Sequence, residues 1–117
     1  MAGKELIDLL METRAEKQKY YEDVWRYVRM MRDIARSRDP AARVLVFGSF
    51  VKGCMRPDSD IDVLIITDEA RETDRRIRLK VEILRTVGFV NPFQIHMATP
   101  QEYEGWYKRF IDKHVEV

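Results

Sequence analysis

Arg43-Val44-Leu45-Val46-Phe47-Gly48-Ser49 and, beyond a gap of ten residues, Asp60-Ile61-Asp62-Val63-Leu64-Ile65-Ile66-Thr67 decide how this chain folds. The first run is short, apolar and rich in β-branched residues, and it stops at a glycine, which predicts a buried strand. The second alternates as a strand should, with Ile61, Val63 and Ile65 on one face and Asp60, Asp62, Leu64 and Ile66 on the other. Between them Phe50 to Gly53 suits one helical turn, and Arg56-Pro57-Asp58-Ser59 reads as loop. A link of 12 residues is too short for a crossover helix, so these two strands should run antiparallel.

Upstream, no proline or glycine interrupts the chain from Lys4 to Arg38, and apolar residues recur at helical spacing. Tyr21, Val24, Trp25, Val28, Met31, Ile34 and Ala35 share one stripe, while Leu6, Ile7, Leu10 and Met11 form an earlier, separate group. The stretch Glu12 to Lys19 is polar all round, which leaves open two helices or one long helix with an exposed middle. Asp39-Pro40 ends the segment, because the residue before a proline avoids the helical region. Downstream, Glu69 to Val87 reads as an amphipathic helix carrying Ile77, Val81 and Leu84, with Gly88 as a left-handed cap. Phe93 to Ala98 is a third strand, parallel to the second because a helix joins them. Thr99-Pro100-Gln101-Glu102 has the form of a capping box, opening a last helix with Tyr103, Trp106, Tyr107, Phe110 and Ile111. The expected fold is α/β (α+β): a small mixed three-stranded sheet covered by helices. It forms one domain over 1–117, with a helical N-terminal segment at 1–40 and a sheet-containing core at 41–117.

The chain has 117 residues, 45% of them apolar and 35% charged, as expected of a globular domain rather than a disordered one. Its 21 basic and 20 acidic residues leave a net charge of +1, against the basic excess of sequence-independent nucleic-acid binders, so nucleic acid is not an expected partner. One cysteine, Cys54, excludes an internal disulfide and Cys-based zinc sites. No apolar run is long enough for a bilayer span and Met1 to Glu5 does not resemble a signal peptide, so a cytoplasmic protein with no membrane partner is expected.

Asp60 and Asp62, one on each side of Ile61, project from the same strand face about 7 Å apart. Beside Leu64 and Ile66 the two charges repel, and a hard divalent cation such as magnesium, with manganese as its substitute, would relieve that conflict. A solvent-exposed acidic strand entry accounts for the pair equally well. Gly48-Ser49 can bring backbone N–H groups and a hydroxyl close to a phosphate, with Lys52 and Arg56 as nearby cations. Taken alone, however, Gly-Ser after a strand is a common turn.

Together they form the pattern Gly48-Ser49, ten residues, Asp60-Ile61-Asp62, with Ser59 just ahead of the pair. From Val44 to Ala98 the chain resembles the DNA polymerase β-type nucleotidyltransferase superfamily, in particular the minimal nucleotidyltransferases. The resemblance implies a nucleotidyltransferase fold, a triphosphate held at Gly48, Ser49, Lys52 and Ser59, and magnesium on Asp60 and Asp62. It implies an enzyme that transfers AMP, or another nucleoside monophosphate, from ATP or another triphosphate to a hydroxyl on a protein or small molecule.

The sequence departs from that pattern on the third strand. Where catalytic members carry a third acidic residue, Gln94 stands here, a poor magnesium ligand that cannot act as a base, with His96 on the same face. His96 can accept a proton, but a single strand histidine is more commonly structural. The family also offers an alternative: a catalytically weak protein-binding partner, such as the antitoxin of a HEPN/MNT toxin–antitoxin pair. A template-directed polymerase would need a basic surface and further domains. The oligomeric state is left open, a homo-oligomer included.

Asp58, Asp60, Asp62 and Glu69 match positions of a calcium-binding EF-hand loop, but Val63 stands where that loop needs glycine. Tyr20, Tyr21, Trp25 and Tyr27, and likewise Trp106, Tyr107 and Phe110, are expected in the core. Arg75, Arg76, Arg78 and Lys80 are expected on a solvated helix face.

Overall fold

The computed structural model describes residues 2–56 and 59–117, with the first helix's side chains from Glu5 onward. The loop expected at Pro57 and Asp58 therefore lies outside the described residues. The N-terminal segment is two helices, α1 (Ala2–Glu22) and α2 (Val24–Arg38), broken at Asp23, whose φ of −147° and ψ of 50° leave the helical region. There follow β1 (Arg43–Phe47), α3 (Ser49–Lys52), β2 (Ile61–Ile66), a 3-10 turn at Asp68–Arg71, α4 (Thr73–Val87) and β3 (Phe93–Ala98). The chain ends in α5 (Pro100–Glu102), a π turn at Tyr103–Tyr107, α6 (Lys108–Phe110) and β4 (His114–Glu116).

The sheet order is β3-β2-β1-β4. β1 and β2 are antiparallel and β2 and β3 parallel, as connection lengths require. The mixed sheet has four strands rather than three: β4 pairs antiparallel with the free side of β1, tied by two hydrogen bonds from the Arg43 guanidinium to Glu116 at 2.7 and 3.0 Å.

Strand alternation divides the core. On one face Val44, Val46, Ile61, Val63, Ile65, Phe93 and Met97 lie under Val24, Val28, Met31 and Ala35 of α2 and Leu79, Ile83 and Val87 of α4. Each fully buried aliphatic side chain there contributes about 1.5–3 kcal/mol. On the other face Tyr103 and Ile111, with the half-buried Tyr107, pack on Leu45, Leu64, Ile66 and Ala98, and Phe47 lies against their edge. The remainder of that face, where Asp62, Gln94 and His96 sit, is left partly open.

Tyr20 is buried, and Tyr21, Trp25 and Tyr27 pack against the core, as expected of that aromatic group. The capping box is present: Thr99 Oγ1 accepts from the Glu102 N–H at 3.1 Å, and Glu102 Oε1 accepts from the Thr99 N–H at 3.0 Å.

Four further expectations are corrected. The α4 stripe that enters the core is Leu79, Ile83 and Val87, and Ile77 is exposed. Two apolar stripes run along this helix; the sheet takes Leu79, Ile83 and Val87, and Val81 and Leu84 are left half-buried at its flank. Trp106 and Phe110 are exposed rather than core, because the π turn aligns Tyr103, Tyr107 and Ile111 toward the sheet. Arg76 is half-buried: its guanidinium donates to the Ala70 carbonyl at 2.7 Å, joining the 3-10 turn to α4. Gly88 has positive φ but is extended (φ 122°, ψ 141°) rather than left-handed helical. A Cβ there would run into the Tyr20 hydroxyl, which donates to the Val87 carbonyl at 2.7 Å.

Candidate functional site

The site begins with the backbone at the end of β1. Gly48 adopts φ 80°, ψ −156°, a region that only glycine occupies without strain. A Cβ on it would also collide with Asp62 Oδ2. The glycine is thus required twice over, and its absent side chain lets the Gly48-Ser49 turn lie directly against the Asp62 carboxylate.

Register does the rest. Asp62 stands opposite Phe47 on β1 and Gln94 on β3, and Leu64 stands opposite His96. Opposed residues on neighbouring strands share a face, so Phe47, Asp62, Gln94 and His96 gather at the open end of the sheet. His96 Nε2 is 3.4 Å from Asp62 Oδ1, and the His96 ring lies 5.6 Å from that of Phe47. Gln94 is exposed, and Asp60 is exposed at the strand entry, where the following Ile61 N–H donates to the Pro92 carbonyl at 2.8 Å.

The turn is braced from outside. The Phe50 ring of α3 packs 5.7 Å from Trp25 of α2, and the Lys52 N–H donates to the Gly48 carbonyl at 3.1 Å. Ser59 is engaged in its own loop: Oγ accepts from the Arg56 N–H at 3.0 Å, and its carbonyl accepts from the Tyr21 hydroxyl at 2.7 Å. Lys52 Nζ points toward the C-terminal segment, 3.3 Å from Asp112 Oδ1. The Lys113 N–H and then Lys52 hold the Asp112 carboxyl below the ordinary carboxylate range.

Among the residues singled out from the sequence, Gly48, Ser49, Asp62 and Gln94 therefore converge. Asp60 flanks them, Lys52 is drawn away by Asp112, and Ser59 serves the loop. His96, read first as structural, joins the acidic side chain. Phe47 was not singled out, although β1 alternation places it on this face. His114, opposite Phe47 on β4, could not be placed without the fourth strand.

Among the described residues no group of three or more His, Cys, Asp or Glu side chains gathers as a ready-made cage. The donors present are hard carboxylate oxygens beside a glycine cradle. Such a set holds a divalent cation only together with oxygens from a ligand. Nor is any described helix long and apolar enough to cross a membrane.

Known proteins share this fold. The sequence profile of the nucleotidyltransferase domain family matches residues 28–114, which include the turn, both aspartates, Gln94 and His96. A crystal structure of an inferred nucleotidyltransferase superposes with a TM-score of 0.64 at 29% identity, over 76% of this chain and 95% of that one. A second, an inferred nucleotidyltransferase from Sulfolobus solfataricus, does so with a TM-score of 0.55 at 18% identity, over 91% and 83%, and bears on the fold alone. No curated protein sequence matches significantly. Because the family profile spans most of the chain and carries the whole of the open sheet end with it, this protein belongs to the nucleotidyltransferase domain family.

Proposed function

We propose that the open sheet end binds a nucleoside triphosphate with magnesium, or manganese in its place, and transfers the nucleoside monophosphate, AMP in the first instance, to a hydroxyl acceptor. The observation that carries this reading is the abutment of the Gly48-Ser49 turn on the Asp62 carboxylate. That turn offers backbone N–H groups and the Ser49 hydroxyl to phosphate oxygens within reach of the residue that would share the cation. Asp60 and Asp62 fit the ion because two carboxylates leave room for phosphate oxygens in its shell. When bound, the ion neutralises charge on the triphosphate and favours displacement of pyrophosphate.

In the transfer, the acceptor oxygen forms a bond to the α-phosphorus, the bond to the bridging oxygen breaks, pyrophosphate leaves and the hydroxyl proton is released. This chain's residues position the reactants. The Gly48-Ser49 turn grips the phosphates, Asp62 fixes the reacting end, and Lys52 supplies a cation once it releases Asp112. Calorimetric titration with ATP, with and without magnesium, tests the reading: heat that requires the metal and disappears in Asp62→Asn is expected. Metal-independent heat, or none, would remove it.

Gln94 favours a second reading. A neutral amide opposite Asp62 gives the site no third carboxylate, as suits a protein-binding partner such as an antitoxin acting on a HEPN-type protein. Tight complex formation that survives Asp60→Asn and Asp62→Asn would single out that role.

A further inference from the structure

Among the described residues, none covers the apolar side chains at the start of α1. Leu6, Ile7, Leu9, Leu10 and Met11 are each 57–66% exposed, whereas Tyr20, three turns further on, is 1% exposed. The body-facing stripe of α1 continues through Thr13 to Leu10 and Leu6, so the helix overhangs the core with its apolar face uncovered. The shape agrees: the extents are 51 × 31 × 23 Å, and the radius of gyration is 15.5 Å, against roughly 13 Å for a compact chain of this length. Isolated helical ends of this size are marginal in water. Beneath the overhang runs a groove of about 670 Å³ lined by Leu10, Thr13, Arg14, Lys17, Tyr21 and Met55, among others.

We propose that α1 pairs antiparallel with α1 of a second copy of this chain about a two-fold axis near Thr13, each overhang filling the other's groove. Charge selects this occupant and this direction. From Ala2 to Glu12 the helix carries Glu5, Asp8 and Glu12 against Lys4 alone. From Thr13 to Glu22 it carries Arg14, Lys17 and Lys19 against Glu16 and Glu22. Antiparallel pairing sets each acidic half on a basic half, whereas parallel pairing sets acid on acid. A two-fold contact is self-complementary and closes at the dimer. It also buttresses the site loop, because Met55 lies between Gly48 and Asp60 and Tyr21 holds the Ser59 carbonyl.

Sedimentation equilibrium of the whole chain tests this over a wide concentration range. A dimer mass is expected for the wild type and a monomer mass for Leu6→Glu/Leu10→Glu. The body of that variant should stay folded, with the near-ultraviolet circular dichroism of the wild type, because neither side chain reaches the core of its own chain, while the overhang loses helix along with its partner. In a Cys54→Ser background, Thr13→Cys should form a disulfide with its own copy on oxidation and Leu6→Cys should not. A wild-type monomer at every concentration, a dimer that survives the double variant, or self-linking by Leu6→Cys but not Thr13→Cys would each overturn the proposal.

Discussion

The backbone of Gly48 lies where any side chain would strike Oδ2 of Asp62, so the turn and the carboxylate fix each other's position. Gly48→Ala therefore combines backbone strain with displacement of Asp62. A stability loss of about 1–3 kcal/mol is expected, together with loss of magnesium-dependent ATP binding. Ser49→Ala next to it should stay within about 0.5 kcal/mol of wild type. Urea unfolding of the two variants checks the contrast, and a Gly48→Ala protein as stable as wild type would show that the turn relaxes freely.

A second close approach joins residues far apart in the chain. Tyr20 donates to the Val87 carbonyl and occupies the space a side chain at 88 would need. Tyr20→Phe leaves that carbonyl unpaired at a cost of about 1–3 kcal/mol. Gly88→Ala should cost more in the wild-type background than in Tyr20→Phe, since the hydroxyl it strikes is then gone. A double-mutant cycle measures the coupling, and strict additivity would contradict the packing described.

Gln94 faces Asp62 in register on the neighbouring strand. A carboxylate at 94 would stand beside Asp62 and complete an acidic triad with Asp60. Gln94→Asp is expected to raise the rate of label transfer from α-labelled ATP without improving ATP affinity in the absence of metal. A wild-type rate equal to that of the variant would mean that the amide is no handicap.

Acid should loosen the end of the sheet opposite the site, where β2 and β3 finish. Burial pushes the Asp39 carboxyl up, but hydrogen bonds from the Thr67 hydroxyl and from the N–H groups of Asp68 and Ala41 outweigh it and hold Asp39 below its ordinary value. At Glu102 the Thr99 N–H acts in the same direction. For a carboxylate depressed in the folded state, the added stability is present above the unfolded value and is lost as pH falls through the folded one. Stability should therefore drop as pH falls below about 4, and the drop should be shallower in Asp39→Asn. Urea midpoints measured against pH report both slopes.

What the sequence discloses follows the range of the forces involved. β1, β2, β3 and the Thr99 capping box announce themselves because alternation and capping are settled within a few residues. β4 does not, since His114-Val115-Glu116 is short and exposed and becomes a strand only where Arg43 and the free edge of β1 receive it. Both stripes of α4 keep helical spacing, so local pattern cannot choose between Ile77, Val81, Leu84 and Leu79, Ile83, Val87. The exposure of Trp106 and Phe110 likewise depends on a π turn that helical spacing does not foresee. At the site, Gly48-Ser49, Asp62 and Gln94 are visible as spacing and strand register. The approach of His96 to Asp62 and the diversion of Lys52 to Asp112 arise from tertiary packing.

The Tyr20 contact has a bearing on how the protein can be divided. By composition the natural cut falls at Pro40, between a helical leader and a sheet, yet Tyr20 ends up beside Phe93 and Val87, its ring 5.9 Å from that of Phe93. Removal of the residues before Lys19 would take away an overhang and leave the fold whole. Trimming a few residues further would open the interior at a point nearly seventy positions along the chain.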